Sequence, residues 1–261
     1  MSKFGLIGGK LGHSFSLGIH ERYYDSIGEE STFELIETPS DRLKLTLDEL
    51  CEKGYKGINV TIPHKKAIIE FLDEISPEAK SMGAVNTVKF ENGKYYGFNT
   101  DYYGFGKTLE KEGIDISNKR VYILGTGGAS NAVSAYCKNN GADVVFVSRK
   151  PSDNAISYDE FTTVTDGRVL INCTPVGMHP DIDSSPTDHV KGFDAVVDVI
   201  YNPPKTKLLK IAEENGIKAV NGAYMLVAQA VYAEAIWHGT DCDENIVEDI
   251  YQNFFKRMGE N

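Results

Sequence analysis

A chain of 261 residues, 41 % hydrophobic and 25 % charged, is long enough to bury one large core or two modest ones without disulfides or metals. Its formal charge of −11 excludes nucleic acid as the main partner, because a phosphate-binding face needs a basic stripe and the chain has none. Cys51, Cys137, Cys173 and Cys242 are scattered without CxxC or metal-ligand spacing, which reads as unpaired core thiols in a reducing compartment.

The N-terminus runs into "KFGLIGG" with no signal-peptide pattern, so a cytoplasmic protein is expected. Strands are predicted at "FGLIGG" (4–9), "TFELIET" (32–38), "GINVTIP" (57–63) and "AVNTVKF" (84–90). Helices are predicted at "SLGIHERYYDSI" (16–27) and "RLKLTLDELCEK" (42–53), where apolar residues recur at three and four. Asn92 and Gly93 mark a type I′ hairpin, so this block mixes crossover units with an antiparallel pair.

The strand at 57–63 ends in polar residues. Asn59 and Thr61 share a face, Pro63 closes the strand, and Lys65 falls at the top of the following helix. The helix macrodipole disfavours a lysine there, so the placement asks for a carboxylate or a role. Asp101, in "GFNTDYYGF" (97–105), follows a strand and opens a helix. Singly, Asp101 reads as a cap and Lys65 as a surface lysine. Together they gain weight from Ser14, Ser16 and Asn86, which also stand at strand ends.

The second block starts with "RVYILGTGGASNAVSAYCKNNGADVVFVSRK" (120–150), a strand, glycine turn, helix and strand within one βαβ length. Gly125 permits the tight turn, and Gly127 lets backbone approach a pyrophosphate favoured by the helix N-terminus. Gly128 and Ala129 keep the helix start slim, and Ser130 takes the third glycine position. Ser148, Arg149 and Lys150 stand where an NAD site would carry an acid. A guanidinium can fork onto a 2′-phosphate, so NADP is preferred over NAD. Further strands at "RVLINCT" (168–174), "DAVVDVIY" (194–201) and "IKAVNG" (217–222) suit a parallel sheet covered on both faces.

"AYMLVAQAVYAEAIW" (223–237) is interrupted by Gln229 and Glu234 and is too short to span a bilayer. Gln229 by itself reads as a satisfied amide in an apolar helix, and Met225 and Trp237 read as core. Ile246, Val247, Ile250, Tyr251, Phe254, Phe255 and Met258 form one apolar stripe of a last helix, expected to pack on the first domain. The fold class is therefore α/β with two domains. The first is an N-terminal α/β substrate domain over 1–101, completed by the C-terminal helix 238–261. The second is a Rossmann-type doubly wound NADP-binding domain over 102–237.

Over nearly its whole length the chain resembles the shikimate dehydrogenase family. The resemblance rests on "GHSFS" (12–16), "GINVTIPHK" (57–65), "GAVNT" (83–87), "NTD" (99–101), "GTGGAS" (125–130), "NCTPVGM" (172–178), "DVIYNPPKT" (198–206) and "GAYMLVAQA" (222–230). It implies NADP-dependent, reversible reduction of 3-dehydroshikimate to shikimate, on the route to aromatic amino acids. It further implies that Ser14 and Ser16 bind the substrate carboxylate, that Asn59, Thr61, Asn86 and Asp101 hold ring hydroxyls, and that Lys65 and Asp101 are the catalytic pair. Tyr201 and Gln229 would complete the pocket from the nucleotide domain. Gly125, Gly127, Gly128, Ala129, Ser148, Arg149, Thr174, Val199 and Gly222 match positions lining the NADP site.

No metal is called for, since His13, His20 and His64 form no ligand arrangement; His64 reads as packing or capping. Leu17, Tyr102 and Ser148 depart from the family's usual proline, glycine and asparagine, which bears on substrate choice more than on reaction type. The alternatives are a dehydrogenase of quinate or a related polyhydroxy-cyclohexane carboxylate, and a non-catalytic nucleotide-responsive regulator, which would be expected to lack Lys65 or Asp101. A small-molecule substrate, no nucleic-acid or membrane partner, and a monomer or homodimer are expected.

Overall fold

The computed structural model describes residues 1–12, 14–152 and 154–256; His13 and Met258 lie outside the described residues. The chain divides into two compact units, Met1–Gly104 with Val227–Asn261, and Phe105–Leu226.

The first unit contains β1 (Ser2–Gly8), α1 (Ser16–Ile27), β2 (Ser31–Glu37), α2 (Leu43–Glu52), β3 (Tyr55–Val60), β4 (Glu74–Ile75), α3 (Pro77–Met82), β5 (Thr87–Glu91), β6 (Lys94–Phe98) and the start of α4 (Asp101–Lys111). Its sheet has the order β2-β1-β3-β5-β6-β4. β1 runs parallel to β2 and β3, whereas β5 is antiparallel to both β3 and β6. The β5–β6 hairpin turns through Asn92 and Gly93 at φ 53° and 73°, the two left-handed residues that a type I′ turn requires. Leu43, Leu47 and Leu50 form one stripe of α2 and pack with Ile7, Ile58 and Val88 in the core.

Two reversals of direction, β3 to β5 and β5 to β6, bring the C-terminal ends of β1, β3 and β6 to the same edge as the start of β5. Ser14, Ser16, Thr61, Lys65, Asn86 and Asp101 all lie in the segments that leave or enter the sheet at that edge. The strand expected over 57–63 stops at Val60. Thr61 N–H still reaches Ile7 O at 2.9 Å, and His64 N–H then closes a turn on Thr61 O at 2.9 Å. Lys65 therefore sits in a turn, ahead of the 3₁₀ helix Ala67–Phe71, and the expected conflict with a helix dipole does not arise.

The second unit contains β7 (Arg120–Leu124), α5 (Gly128–Asn139), β8 (Asp143–Val147), β9 (Ala155–Ile156), α6 (Tyr158–Phe161), β10 (Val169–Asn172), β11 (Ala195–Asp198), α7 (Lys207–Glu214), β12 (Lys218–Val220) and the start of α8 (Ala223–His238). All six strands are parallel, in the order β12-β11-β10-β7-β8-β9. That is the doubly wound order of Rossmann sheets, with its switch point between β7 and β10.

α9 (Glu244–Tyr251) continues as a π turn over Gln252–Lys256. It groups with the first unit, burying Val247 and Ile250, and Phe255 lies with its ring centroid 5.9 Å from that of Phe15. The side chain of Phe254 lies outside the described residues. At one boundary the structure differs from the division after residue 237: all of α8 but its first turn, from Val227 on, groups with the first unit. The cause is its packing there, where Trp237 N–H reaches Val88 O at 3.0 Å and Phe4 stacks on the indole at 4.9 Å. Among the described residues no helix is long and apolar enough to cross a membrane.

Candidate active site

Lys65 Nζ donates to Asp101 Oδ2 at 2.6 Å across 36 positions of sequence. Both side chains are largely shielded, 20 % and 12 % exposed. Each is fixed by its backbone. Val85 N–H donates to Lys65 O at 2.8 Å, tying the turn to the segment before β5. Asp101 N–H donates to Asn99 Oδ1 at 3.1 Å, so α4 is started by a neighbour's amide and the Asp101 carboxylate is left for the lysine. His64, beside Lys65, is buried and donates through Nε2 to Thr38 O at 2.8 Å; it packs the turn, as expected.

Behind the pair lies a buried polar cluster. Asn59 Nδ2 donates to Thr87 Oγ1 at 3.1 Å, and Thr87 Oγ1 donates to Asn86 Oδ1 at 3.0 Å. Asn86 Oδ1 also accepts from Thr100 N–H at 2.7 Å, and Asn86 Nδ2 donates to Thr100 Oγ1 at 3.1 Å. Thr100 Oγ1 in turn reaches Gln229 Oε1 at 3.4 Å. Gln229 thus belongs to the first unit's cluster, which corrects the expectation that the nucleotide domain supplies it. Ser14 and Ser16 stand at the start of α1, where Ser14 Oγ accepts from Ser16 N–H at 3.2 Å and keeps its own O–H as a donor. The first turn of α1 carries no acidic residue, which suits an anionic group.

In the second unit, the residues singled out for a dinucleotide gather along one sheet edge. Gly125 has φ +94°, and a β-carbon there would lie 2.9 Å from Thr174 Cγ2, so the turn after β7 tolerates only glycine. Around Gly127 and Gly128, apart from the chain neighbours and the helix's own backbone, no heavy atom of the described residues lies within 4 Å of an added β-carbon; the start of α5 presents bare backbone. Ser130 is fully buried and its hydroxyl donates to Gly127 O at 2.5 Å, so a small hydroxyl residue serves in the third glycine position. Gly222 is needed for packing, since a β-carbon would fall 2.0 Å from Val199 O. Ser148 Oγ accepts from Lys150 N–H at 3.1 Å, and Arg149 is exposed beside it. These residues fit a 2′-phosphorylated dinucleotide: an open glycine cradle at a helix N-terminus, and a cation, Arg149, one residue after Ser148 at the end of β8. Tyr201 follows β11, and burial pushes its phenol up.

Sequence reading passed over the residues that hold this edge together. Asn172 and Asp198 are opposite each other in the register of β10 and β11, and Asn172 Nδ2 donates to Asp198 Oδ1 at 3.0 Å. Asn172 Oδ1 accepts from both Thr174 N–H, at 2.9 Å, and Thr174 Oγ1, at 2.7 Å. Their signal was available: each ends an otherwise apolar strand run. His20 and Glu234 were passed over in the same way, although Glu234 interrupts the apolar run of α8.

A family model described as the shikimate dehydrogenase substrate binding domain matches residues 6–88. A Clostridium perfringens protein named shikimate dehydrogenase (NADP(+)) is 43 % identical over 265 residues, covering 97 % of this chain and 98 % of that protein. The crystal structure of a chorismate mutase/shikimate 5-dehydrogenase fusion protein from Clostridium acetobutylicum superposes with a TM-score of 0.96 at 44 % identity, covering 98 % of each chain. That of Thermus thermophilus shikimate 5-dehydrogenase in complex with NADP(H) and shikimate gives 0.87 at 32 % identity, covering 97 % of this chain and 99 % of that one. With such similarity covering 97–98 % of the chain, and so both units, the chain belongs to the shikimate dehydrogenase family.

Proposed function

We propose that this chain catalyses the reversible, NADP-dependent reduction of 3-dehydroshikimate to shikimate, with Lys65 and Asp101 as the catalytic pair. The observation that carries the reading is the 2.6 Å contact between the two, in a shielded position at the edge where the first unit's polar residues converge. NADP, when bound, supplies or accepts the hydride. Lys65 stabilises the negative charge that develops on the ring oxygen and delivers the proton to it. Asp101 aligns the ammonium and accepts from a neighbouring ring hydroxyl. Asn59, Thr61, Asn86 and Gln229 hold the remaining hydroxyls, Ser14 and Ser16 take the carboxylate, and Tyr201 completes the pocket. Arg149 and Ser148 receive the 2′-phosphate, while Gly125, Gly127, Gly128 and Ala129 cradle the pyrophosphate, bordered by Thr174, Val199 and Gly222.

The test is to follow formation of reduced nicotinamide with shikimate and quinate in parallel, each offered with NADP and with NAD. Turnover with shikimate and NADP well above the other three combinations is expected. Faster turnover with quinate would reassign the substrate, and nucleotide binding without turnover of either acid would make the chain a regulator.

A further inference from the structure

Asn99 stands between β6 and α4 and is buried. Its carboxamide is engaged at both ends: Oδ1 accepts from Asp101 N–H at 3.1 Å, and Nδ2 donates to Ala84 O at 3.0 Å. These partners fix which way the amide faces, because a backbone N–H only donates and a backbone carbonyl only accepts. The residue after Ala84 holds the other half of the site, since Val85 N–H donates to Lys65 O at 2.8 Å. Ala84 and Val85 are themselves buried, and Ala84 N–H reaches back to Ala79 O at 3.3 Å. The backbones of Lys65 and Asp101 are thus tied to one dipeptide, the lysine directly and the aspartate through Asn99.

We propose that Asn99 is a positioning residue of the catalytic pair, holding the start of α4 so that the Asp101 carboxylate meets Lys65 instead of capping its own helix. The inference rests on the reading of Lys65 and Asp101 as that pair.

An asparagine that accepts from the N–H two residues on closes a local turn. Here the turn delivers Asp101 as the first residue of α4 with its own N–H already satisfied. A helix start has further N–H groups without intrahelical partners, and a side chain at the cap position normally accepts from one of them. Thr100 holds that position, since Gly104 N–H donates to its carbonyl at 2.9 Å. Its hydroxyl is turned instead to Asn86, whose Nδ2 donates to it at 3.1 Å. The Asp101 carboxylate therefore faces two demands, its own helix and the ammonium, and its Oδ2 goes to Lys65 Nζ at 2.6 Å. Asn99 decides the contest by fixing where the helix begins. Without it, α4 is free to shift against Ala84, and the carboxylate becomes the nearest substitute cap.

The test is a double-mutant cycle on turnover. Asn99→Leu keeps a branched side chain and removes both ends of the tie. Asn99→Ser removes the link to Ala84 O and keeps a hydroxyl able to accept from the N–H two residues on. In Asn99→Leu, kcat with shikimate is expected to fall about 10- to 100-fold, the cost of misplacing a reacting group by about 1 Å. Asn99→Ser should lose less, and in both variants the Michaelis constant for NADP should stay within about twofold of the parent, because uniform binding is untouched. Added to Lys65→Ala, neither substitution should lower kcat by more than about threefold further, since with the ammonium gone nothing is left to position. A merely structural loss would multiply with that of Lys65→Ala.

A folded Asn99→Leu protein with parent-like kcat overturns the proposal, and so do losses that multiply. Should Asn99→Leu fail to fold, the cycle is read on Asn99→Ser, where parent-like kcat or multiplied losses overturn it equally. A Lys65→Ala protein as active as the parent refutes the catalytic reading and this inference with it. A crippled Lys65→Ala beside a parent-like Asn99→Leu refutes this inference alone.

Discussion

Trp237 occupies the space that a side chain on Gly57 would need: a β-carbon there would fall 2.2 Å from the indole Cδ1 and Nε1. Gly57 lies on β3 two residues before Asn59, and Trp237 lies on α8 three residues after Glu234. The absent side chain lets the end of α8 rest directly on the sheet, and the indole N–H is satisfied by Val88 O. The same seat brings Glu234 to His20, so a packing contact and a polar contact depend on one glycine.

Gly57→Ala is accordingly expected to destabilise the protein by about 1–3 kcal/mol, the usual cost of overpacking a filled core. It should also raise the Michaelis constant for shikimate, because displacing α8 displaces Gln229, proposed to hold a substrate hydroxyl, from Thr100. Urea unfolding and steady-state kinetics on the same preparation check both. A variant as stable as the parent would mean that the indole has room to move aside.

Lys65→Ala removes the ammonium from Asp101 and from the reacting oxygen. Turnover should fall about 10²- to 10⁴-fold, the range for a positioned proton donor, with little change in NADP binding. Asp101→Asn keeps the shape and one acceptor, and a smaller loss, about 10- to 100-fold, is expected. Near-normal turnover of the lysine variant would remove the catalytic assignment.

Arg149→Asp places an acid where the 2′-phosphate is proposed to sit. The Michaelis constant for NADP should rise about 10- to 100-fold, while that for NAD changes little, since a ribose hydroxyl can donate to the new carboxylate. Equal responses to the two cofactors would show that Arg149 does not read the phosphate.

Much of this was legible in the chain. Strand and helix periodicity located most strands of both sheets but not the two-residue edge strands β4 and β9, Asn92 and Gly93 announced their hairpin, and the glycine turn after β7 announced the Rossmann unit. The pairing of Lys65 with Asp101 could be suspected from two strand ends, because ligands of open sheets gather there. Three things were hidden. The end of β3 at Val60 depends on His64 closing a turn, which apolar patterning does not encode. The grouping of Gln229 with the first unit depends on where α8 seats Trp237, a contact across most of the sequence. The meeting of His20 and Glu234 is hidden for the same reason: each lies in a helix whose pattern reads as ordinary amphipathic or apolar, and only tertiary packing makes them partners.

Asp198 offers a test that needs no substrate. Burial pushes its carboxyl up to about 6, against the opposing pull of hydrogen bonds from the Thr206 hydroxyl, the Ile200 N–H and the Asn172 amide. In an unfolded chain the same group titrates near 3.8. Below about pH 4 it is protonated in both states and has no effect on the balance. Between about 4 and 6 the unfolded chain gives up the proton while the folded protein retains it, so the contribution of Asp198 to stability declines as pH rises through that window and levels off above it. The total decline is about 3 kcal/mol. Asp198→Asn removes the titration, and it also costs stability at every pH because the amide cannot accept from all three donors. The informative quantity is therefore the change with pH of the stability difference between parent and variant, measured by urea unfolding from pH 4 to pH 7. Relative to Asp198→Asn, the parent should lose about 2 kcal/mol across that range. A difference that stays flat, or that moves in favour of the parent as pH rises, would mean that the three donors outweigh burial and that Asp198 holds Asn172, and through it Thr174, as a full carboxylate.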